Sequence, residues 1–535
     1  MTISYRNLFF ICFIFSLPLL EREYEAAKYN IIAICVLLSL AIIISHIPFK
    51  RISVSQTDVL FSVSVGYLLC HHYSSENASL ENVIHLLYYS SLYLMGRVLN
   101  FKDKKSLYYT IVAIGLWQTI LVWLQYLQIL PSNHLLLNCT GSYLNPSMAA
   151  AMIALAAIVG IHLLPVSVPF MLSAAILTDC RTSWIVIGMV FFLYMISKSK
   201  WGVLRKTIVG IILLSITLPP LYLYKQKSAD SRIFIWKVCT EIAKENIIFG
   251  NGPQAVKQEF MHYQKKVLDK TSEVEQKVQA SNNNYAYNEF LRILCEYGLI
   301  GVVLLCGIIY TLRMNKIEKY VWLGFLIISL FSYPLSSFSL SSFLILFLAL
   351  SSGKPVYTIR YRTWHLAGIA GVVLLLLVPY WLLYKRVNKA IGEYYWDKEE
   401  DMFLSHNYPY FKHETELVSC YAKTLFYAQE YQRAIPVLKQ LTSLSPTSEV
   451  YCDLGLSYQK AGLFHLAEES YEYAASMVPG YIIPQYRLFK LYMDIDEKEK
   501  ALEKGKQIEV MPLKVENPKT IAIKEEVSEF IKQYN

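Results

Sequence analysis

The chain has 535 residues, 55% of them hydrophobic, with a mean hydropathy of +0.35 and a formal net charge of +9. That apolar share exceeds the roughly 45–50% of soluble domains. It is concentrated in long runs before residue 385, which excludes a wholly soluble protein. The positive charge does not point to nucleic acid, because Lys and Arg fall between the apolar runs, as they do in the cytoplasmic loops of membrane proteins.

In chain order, the first apolar run, Leu8–Leu20, lacks a small-residue cleavage site and reads as an uncleaved span. Runs long enough to cross about 30 Å of hydrocarbon follow. The candidates centre near residues 13, 38, 63, 90, 118, 155, 171, 190, 214, 302, 326, 343 and 373, which gives 12–13 spans. The pairs at 155/171 and 326/343 have short connections. With the N-terminus cytoplasmic, the inner loops carry 17 basic residues, among them Arg97, Lys104, Lys105, Arg313, Lys316 and Arg360. The short outer loops carry three: Arg22, Lys28 and Arg181. This positive-inside bias places the long segment 225–285 and everything after residue 385 outside the cytoplasm. The expected architecture is all-α: a polytopic helical bundle over 1–384, a linker helix over 385–412 and a soluble helical domain over 413–535.

The outer-face segments carry the polar residues. In TGSYLNPSMAA (140–150), Asn145 and Pro146 suit a helix start, with Asn as cap and Pro in the first turn. In TDCRTSWI (178–185), Arg181 is the one base, and an interfacial snorkelling role would explain it. Cys139 and Cys180 both face outward in this topology, and the sequence does not decide whether they pair. The segment 229–264 carries Arg232, then Ile233, Trp236, Ile242 and Ile247 as the apolar face of a membrane-lying helix, the turn Gly250-Asn251-Gly252-Pro253, and a second helix through about Tyr263.

The stretch NNNYAYNEFLRILCEYGLIG (282–301) opens the next span. Glu289, Arg292 and Glu296 share one helical face, and Asn288 meets Arg292 at i+4. A self-neutralised stripe between helices is the plain reading, and a site at the outer boundary is the functional one. Two arginines suit a diphosphate, since guanidinium donates paired hydrogen bonds to phosphate oxygens. No carboxylate cluster on this face calls for a metal, and no cofactor is expected. In the tail, Tyr451, Leu454, Gly455, Tyr458, Ala467, Tyr471, Ala474 and Pro479 follow tetratricopeptide spacing. Tyr492 and Ala501 repeat it 34 residues on, and Ala434 and Pro446 precede it by 33. Such repeats imply a groove for a periplasmic protein partner or a rigid cap.

Together these segments resemble the O-antigen ligase family and its relatives, the O-antigen polymerases and bacterial protein O-oligosaccharyltransferases. Asn288, Gly298 and Gly301 fit the ligase signature in spacing, with Tyr287 where the family has His. GSYLNPSMAA, the Arg181-Thr-Ser-Trp run, and Arg232 followed by GNGP and Tyr263-Gln264 are similar as well. The resemblance covers roughly residues 60–350. It implies a metal-independent glycosyltransferase in the bacterial inner membrane, with a donor glycan on undecaprenyl diphosphate. The acceptor hydroxyl would be on lipid A-core, on another lipid-linked unit, or on a protein.

By position, the resemblance assigns the diphosphate to Arg181 and Arg232 and the acceptor side to Tyr287, Asn288 and Glu289. Asn145, Arg292, Glu296, Tyr263, Gln264, Gly298 and Gly301 would support them. A neutral phenol is a poor base at pH 7. Tyr287 therefore orients the acceptor, or Glu289 supplies the base, or activity has been lost. A transporter and a non-catalytic envelope scaffold stand as readings of another class. A transporter predicts Gly- or Pro-broken spans, and the sequence shows none clearly.

Overall fold

A computed structural model describes residues 50–77, 79–99, 104–134, 137–271, 274–361, 363–393, 398–512, 514 and 516–534. The expected spans near residues 13 and 38, and the basic residues Arg22 and Lys28, lie outside the described residues. The described chain is almost wholly helical. One ribbon departs from this: β1 (Lys50–Ser55) pairs antiparallel with β2 (Pro355–Tyr361), Ile52 opposite Ile359.

The apolar helices are α1 (Gln56–Ser74), α2 (Leu80–Leu99), α3 (Lys105–Tyr126), α4 (Pro146–Leu163), α5 (Val168–Leu177), α6 (Arg181–Lys198) and α7 (Val203–Tyr224). After the outer segment come α11 (Glu289–Thr311), α12 (Lys316–Phe331) and α13 (Phe338–Leu350). Their ends are sorted by cross-links. At one end Arg97 pairs with Asp58 at 2.8 Å, Thr57 meets Thr311 at 3.0 Å, and Lys104 reaches Glu318 at 2.6 Å. The β ribbon lies there too, since Gly353 N donates to Thr57. At the other end Asn145, Tyr333 and the start of α11 converge. The basic loops thus gather opposite the candidate site.

Three described helices, α3, α4 and α11, are long and apolar enough to cross a membrane. A fourth is added if α7 and the helix after it, bent by 96°, count as one span. The expected 12–13 also counted the two runs outside the described residues. Pro165 and Pro334 start single 3-10 turns ahead of α5 and α13, leaving helices of 10 and 13 residues. At 1.5 Å per residue these reach about 15 and 20 Å, short of a 30 Å core. The centre of the bundle is packed on small residues. Ala149–Ala157 of α4 are buried throughout, and a Cβ on Gly115 of α3 would lie 2.1 Å from the Ala156 Cβ. Such close backbone approach is how helices associate where no hydrophobic force distinguishes helix from lipid.

The segment between α7 and α11 holds α8 (Gln226–Glu245), α9 (Ala255–Asp269) and α10 (Val274–Gln279). The amphipathic helix forms, but its buried face is Phe234, Ile235, Val238 and Ile242, packed on α9 and α11. Of the four residues expected to face the membrane, Ile242 is buried, Trp236 half-buried, and Ile233 and Ile247 exposed. Ile233 and Ile247 thus lie off the surface that packs on α9 and α11.

The 31-residue α14 (Thr363–Glu393) runs without a break through residue 384, so the expected domain boundary falls inside a helix. Its second half, with Tyr380, Tyr384 and Val387 buried, packs on α15 (Lys398–Phe411) and α16 (Thr415–Tyr427). Antiparallel pairs follow: α16 with α17 (Tyr431–Leu444), α18 (Ser448–Lys460) with α19 (Phe464–Met477), and α20 (Ile482–Asp494) with α21 (Lys498–Val510), closed by α22 (Pro518–Tyr534). Ala434, Ala467 and Ala501 are fully buried at the helix crossings. Gly455 lets the Tyr471 ring approach to where a Cβ would be 2.6 Å away.

The tail is fastened to the rest at two places. Ser79 Oγ and Leu80 N, at the start of α2, donate to Glu414 at 2.7 and 2.9 Å. Beyond the membrane helices, Gln264 donates to Met477 O at 2.8 Å, and Ser448 N donates to Asn282 Oδ1 at 3.1 Å.

Candidate active site

The site is built on a broken helix. α11 starts under an Asn288 cap, whose side chain accepts from Leu291 N at 3.0 Å, and then breaks at Gly298 (φ 64, ψ −166). The Gly-broken span that the sequence did not reveal is therefore present. A break in an apolar helix frees backbone groups that must find partners. Here the 246–252 turn supplies them. Asn251 N and Gly252 N donate to Cys295 O and Glu296 O at 2.9 and 3.0 Å. Leu299 N and Ile300 N donate to Ile247 O and Ile248 O at 2.8 and 3.2 Å. The Tyr67 hydroxyl of α1 is shared between Phe249 O and Tyr297 O. Both Gly250 and Gly298 have positive φ, and a Cβ on either would fall within 2.6 Å of the other strand's backbone. Gly301 does not share this role and lies in the second half of the helix.

Ahead of the cap, Tyr287 sits at φ 50, a left-handed conformation that is costly for a bulky side chain and marks a locally forced geometry. Three tyrosines meet here. Tyr285 stacks on Tyr333 with centroids 4.3 Å apart, and Tyr333 meets the Tyr287 ring edge-on at 5.2 Å. Asn145 uses both ends of its amide: Oδ1 caps α4 through Ser147 N at 2.8 Å, and Nδ2 donates to the Tyr333 hydroxyl at 2.6 Å. Burial pushes the Tyr287 phenol above its ordinary pKa, against the pull of Arg232, so it stays neutral at pH 7.

Arg232 of α8 lies over the Tyr287 ring, its guanidinium carbon 5.5 Å from the centroid. Among the described residues it makes no hydrogen bond and no ion pair. Arg181, first residue of α6, is near enough to feel its charge. Arg181 spends one nitrogen on Leu221 O at 2.8 Å, capping the end of α7. The carboxylate beside it, Asp179, is taken by Lys225. The structure thus brings Arg181, Arg232, Tyr287 and Asn145 to one place, where neither arginine forms an ion pair among the described residues.

The remaining expected residues are placed differently. Glu289 is 3% exposed, and both its oxygens are engaged: Oε1 accepts from Leu335 N and Oε2 from Arg292 Nε, each at 2.7 Å. Its bond to Leu335 N fixes the Tyr333–Ser336 turn. Tyr263 donates to Glu245 at 2.5 Å, and Gln264 holds Met477 and Ser281. That pair ties α9 to α8 and to the tail and does not line the arginine site. Cys139 and Cys180 are both free thiols. Tyr333 and Tyr67 are the residues that sequence reasoning missed. The signal for Tyr333 was the Tyr-Pro step in FSYPLSS (331–337), a break between two apolar runs.

A multi-pass helical membrane protein with paired cations, a tyrosine cluster and a broken helix at one end is the class that the fold and site define. Residues 166–306 match the family described as O-antigen ligase, a quarter of the chain that contains Arg181, Arg232 and the whole 287–301 motif. This supports an O-antigen ligase or polymerase type of membrane glycosyltransferase. No curated protein matches the chain.

Proposed function

We propose that the chain transfers a glycan from undecaprenyl diphosphate to an acceptor hydroxyl at the periplasmic face of the bacterial inner membrane, with lipid A-core as the first-choice acceptor. The observation that carries this reading is the unpartnered Arg232 guanidinium beside Arg181. Two half-buried cations at one site call for an anion that can take several charge-assisted hydrogen bonds, and a diphosphate does so. As the glycosidic C1–O bond breaks, its electron pair stays on the diphosphate. The same cations stabilise that developing charge. Attack by the acceptor oxygen forms the new C1–O bond, and the hydroxyl proton passes to water or to the departing diphosphate. Tyr287, neutral and held by Arg232 and Tyr333, orients a hydroxyl by hydrogen bonding and does not act as the base. The basic loops would lie in the cytoplasm, and the tail, read as tetratricopeptide-type repeats, would clamp the outer segment and offer a surface to a periplasmic protein.

The test is deletion of the gene, complementation with wild type or Arg232→Ala, and separation of envelope glycans on a gel. Loss of polymer from lipid A-core, restored by wild type and not by the variant, supports the ligase reading. Single repeat units mean a polymerase, and unglycosylated proteins with intact lipopolysaccharide mean a protein transferase. Unchanged glycans in the Arg232→Ala strain refute transfer altogether and favour a transporter or scaffold.

A further inference from the structure

A cavity of about 630 Å³ lies between α1, α2, α11 and α13, on the far side of the tyrosine cluster from Arg232. Tyr285 is the shared wall, since it lines the cavity and stacks on Tyr333, which in turn contacts Tyr287. Glu296 lines this cavity at 6% exposure. Among the described residues its carboxyl has no hydrogen bond and no ion pair. Buried carboxylates are costly unless paired or hydrogen-bonded. Arg292, four residues earlier on the same face, would be the natural partner. It instead gives Nε to Glu289, leaving its terminal nitrogens open to the cavity.

The deep wall is apolar, with Leu304, Ile308 and Ile345, and the mouth is polar, with Asn82, Lys257 and Glu416 of the tail. A ligand that matches has an apolar chain and a hydroxylated head. A vicinal diol can donate to Glu296 and accept from Arg292, so it satisfies both. We infer that Glu296 and Arg292 bind the sugar hydroxyls of a lipid-anchored glycan in this cavity, which makes Glu296 a substrate-binding residue for the acceptor. The inference rests on the glycan-transfer reading above and adds which residues hold the acceptor, on the side of the tyrosines opposite the diphosphate.

The test uses the full chain in lipid nanodiscs, titrated with fluorescent dodecyl maltoside and, separately, with dodecyl phosphocholine. Saturable maltoside binding is expected, with Glu296→Gln weakening it about tenfold or more, the loss of a charge-assisted hydrogen bond. Phosphocholine binding should be weaker and indifferent to that change. Ile345→Trp, which fills the apolar end, should abolish maltoside binding even if Glu296→Gln folds poorly. Maltoside affinity unchanged in both variants, or phosphocholine bound as tightly as maltoside, overturns the inference. Loss of undecaprenyl diphosphate binding in Arg232→Ala is scored separately. If that loss occurs while the maltoside result fails, only the cavity assignment falls. If Arg232→Ala binds diphosphate normally, the transfer reading falls.

Discussion

Replacing Gly298 by alanine is predicted to unlock α11 from the 246–252 turn. Its backbone (φ 64, ψ −166) lies in a region essentially confined to glycine, and forcing another residue there costs about 1–3 kcal/mol. The added Cβ would stand 2.2 Å from Ile248 O and 2.6 Å from Gly250 N, both backbone atoms that cannot turn aside. If the two segments part, four backbone hydrogen bonds open: from Asn251, Gly252, Leu299 and Ile300. At about 1 kcal/mol each, the local loss reaches roughly 5 kcal/mol, comparable to the whole stability of many domains. Hydrogen exchange at those four amides and thermal unfolding in nanodiscs measure it. Gly188→Ala is the control, since nothing lies within 4 Å of its added Cβ. Protection and melting temperature of Gly298→Ala equal to the control would refute the interlocked geometry.

Two further outcomes follow from buried carboxylates. Glu289→Gln should lower stability by about 2–3 kcal/mol, because an amide cannot accept from both Leu335 N and Arg292 Nε; a variant that melts like wild type would show that this carboxylate does not hold the Tyr333 turn. Glu414, which joins the tail to α2, is pushed up by burial to about 6 from an ordinary 4.5. A raised carboxyl pKa favours the folded state below 4.5 and loses that contribution as pH climbs through 6, so the joint should be stabler at pH 5 than at pH 7.5 by about 1 kcal/mol. Glu414→Gln should flatten that dependence, and an unchanged slope in denaturant unfolding would count against it.

Local rules carried far in this chain where one helix was concerned. The Asn145-Pro146 cap and the Glu289–Arg292 contact at i+3 are where spacing put them, whereas Asn288, expected to meet Arg292, turns its side chain to cap α11. The same spacing also invited an Arg292–Glu296 pair, which does not form, since Glu289 takes the guanidinium. What failed to show were partners distant in sequence. Gly298 reads as one small residue in an apolar run, and its break is visible only once residues 247–252 arrive to bond the freed backbone. Asn145 could be read as a cap, whereas its second bond, to Tyr333 some 188 positions away, has no local signature. The buried stripe of α8 likewise had no local signature, since it is set by packing on α9 and α11.

The most direct measurement is equilibrium binding of undecaprenyl diphosphate to the purified full-length chain, wild type against Arg232→Ala. Removing the one guanidinium that stands unpaired over Tyr287 is expected to weaken binding about tenfold or more, from a lost charge-assisted contact. Undecaprenyl monophosphate should bind wild type less tightly than the diphosphate. Equal affinity of the two proteins for the diphosphate would contradict the assignment of this end of the bundle as its site.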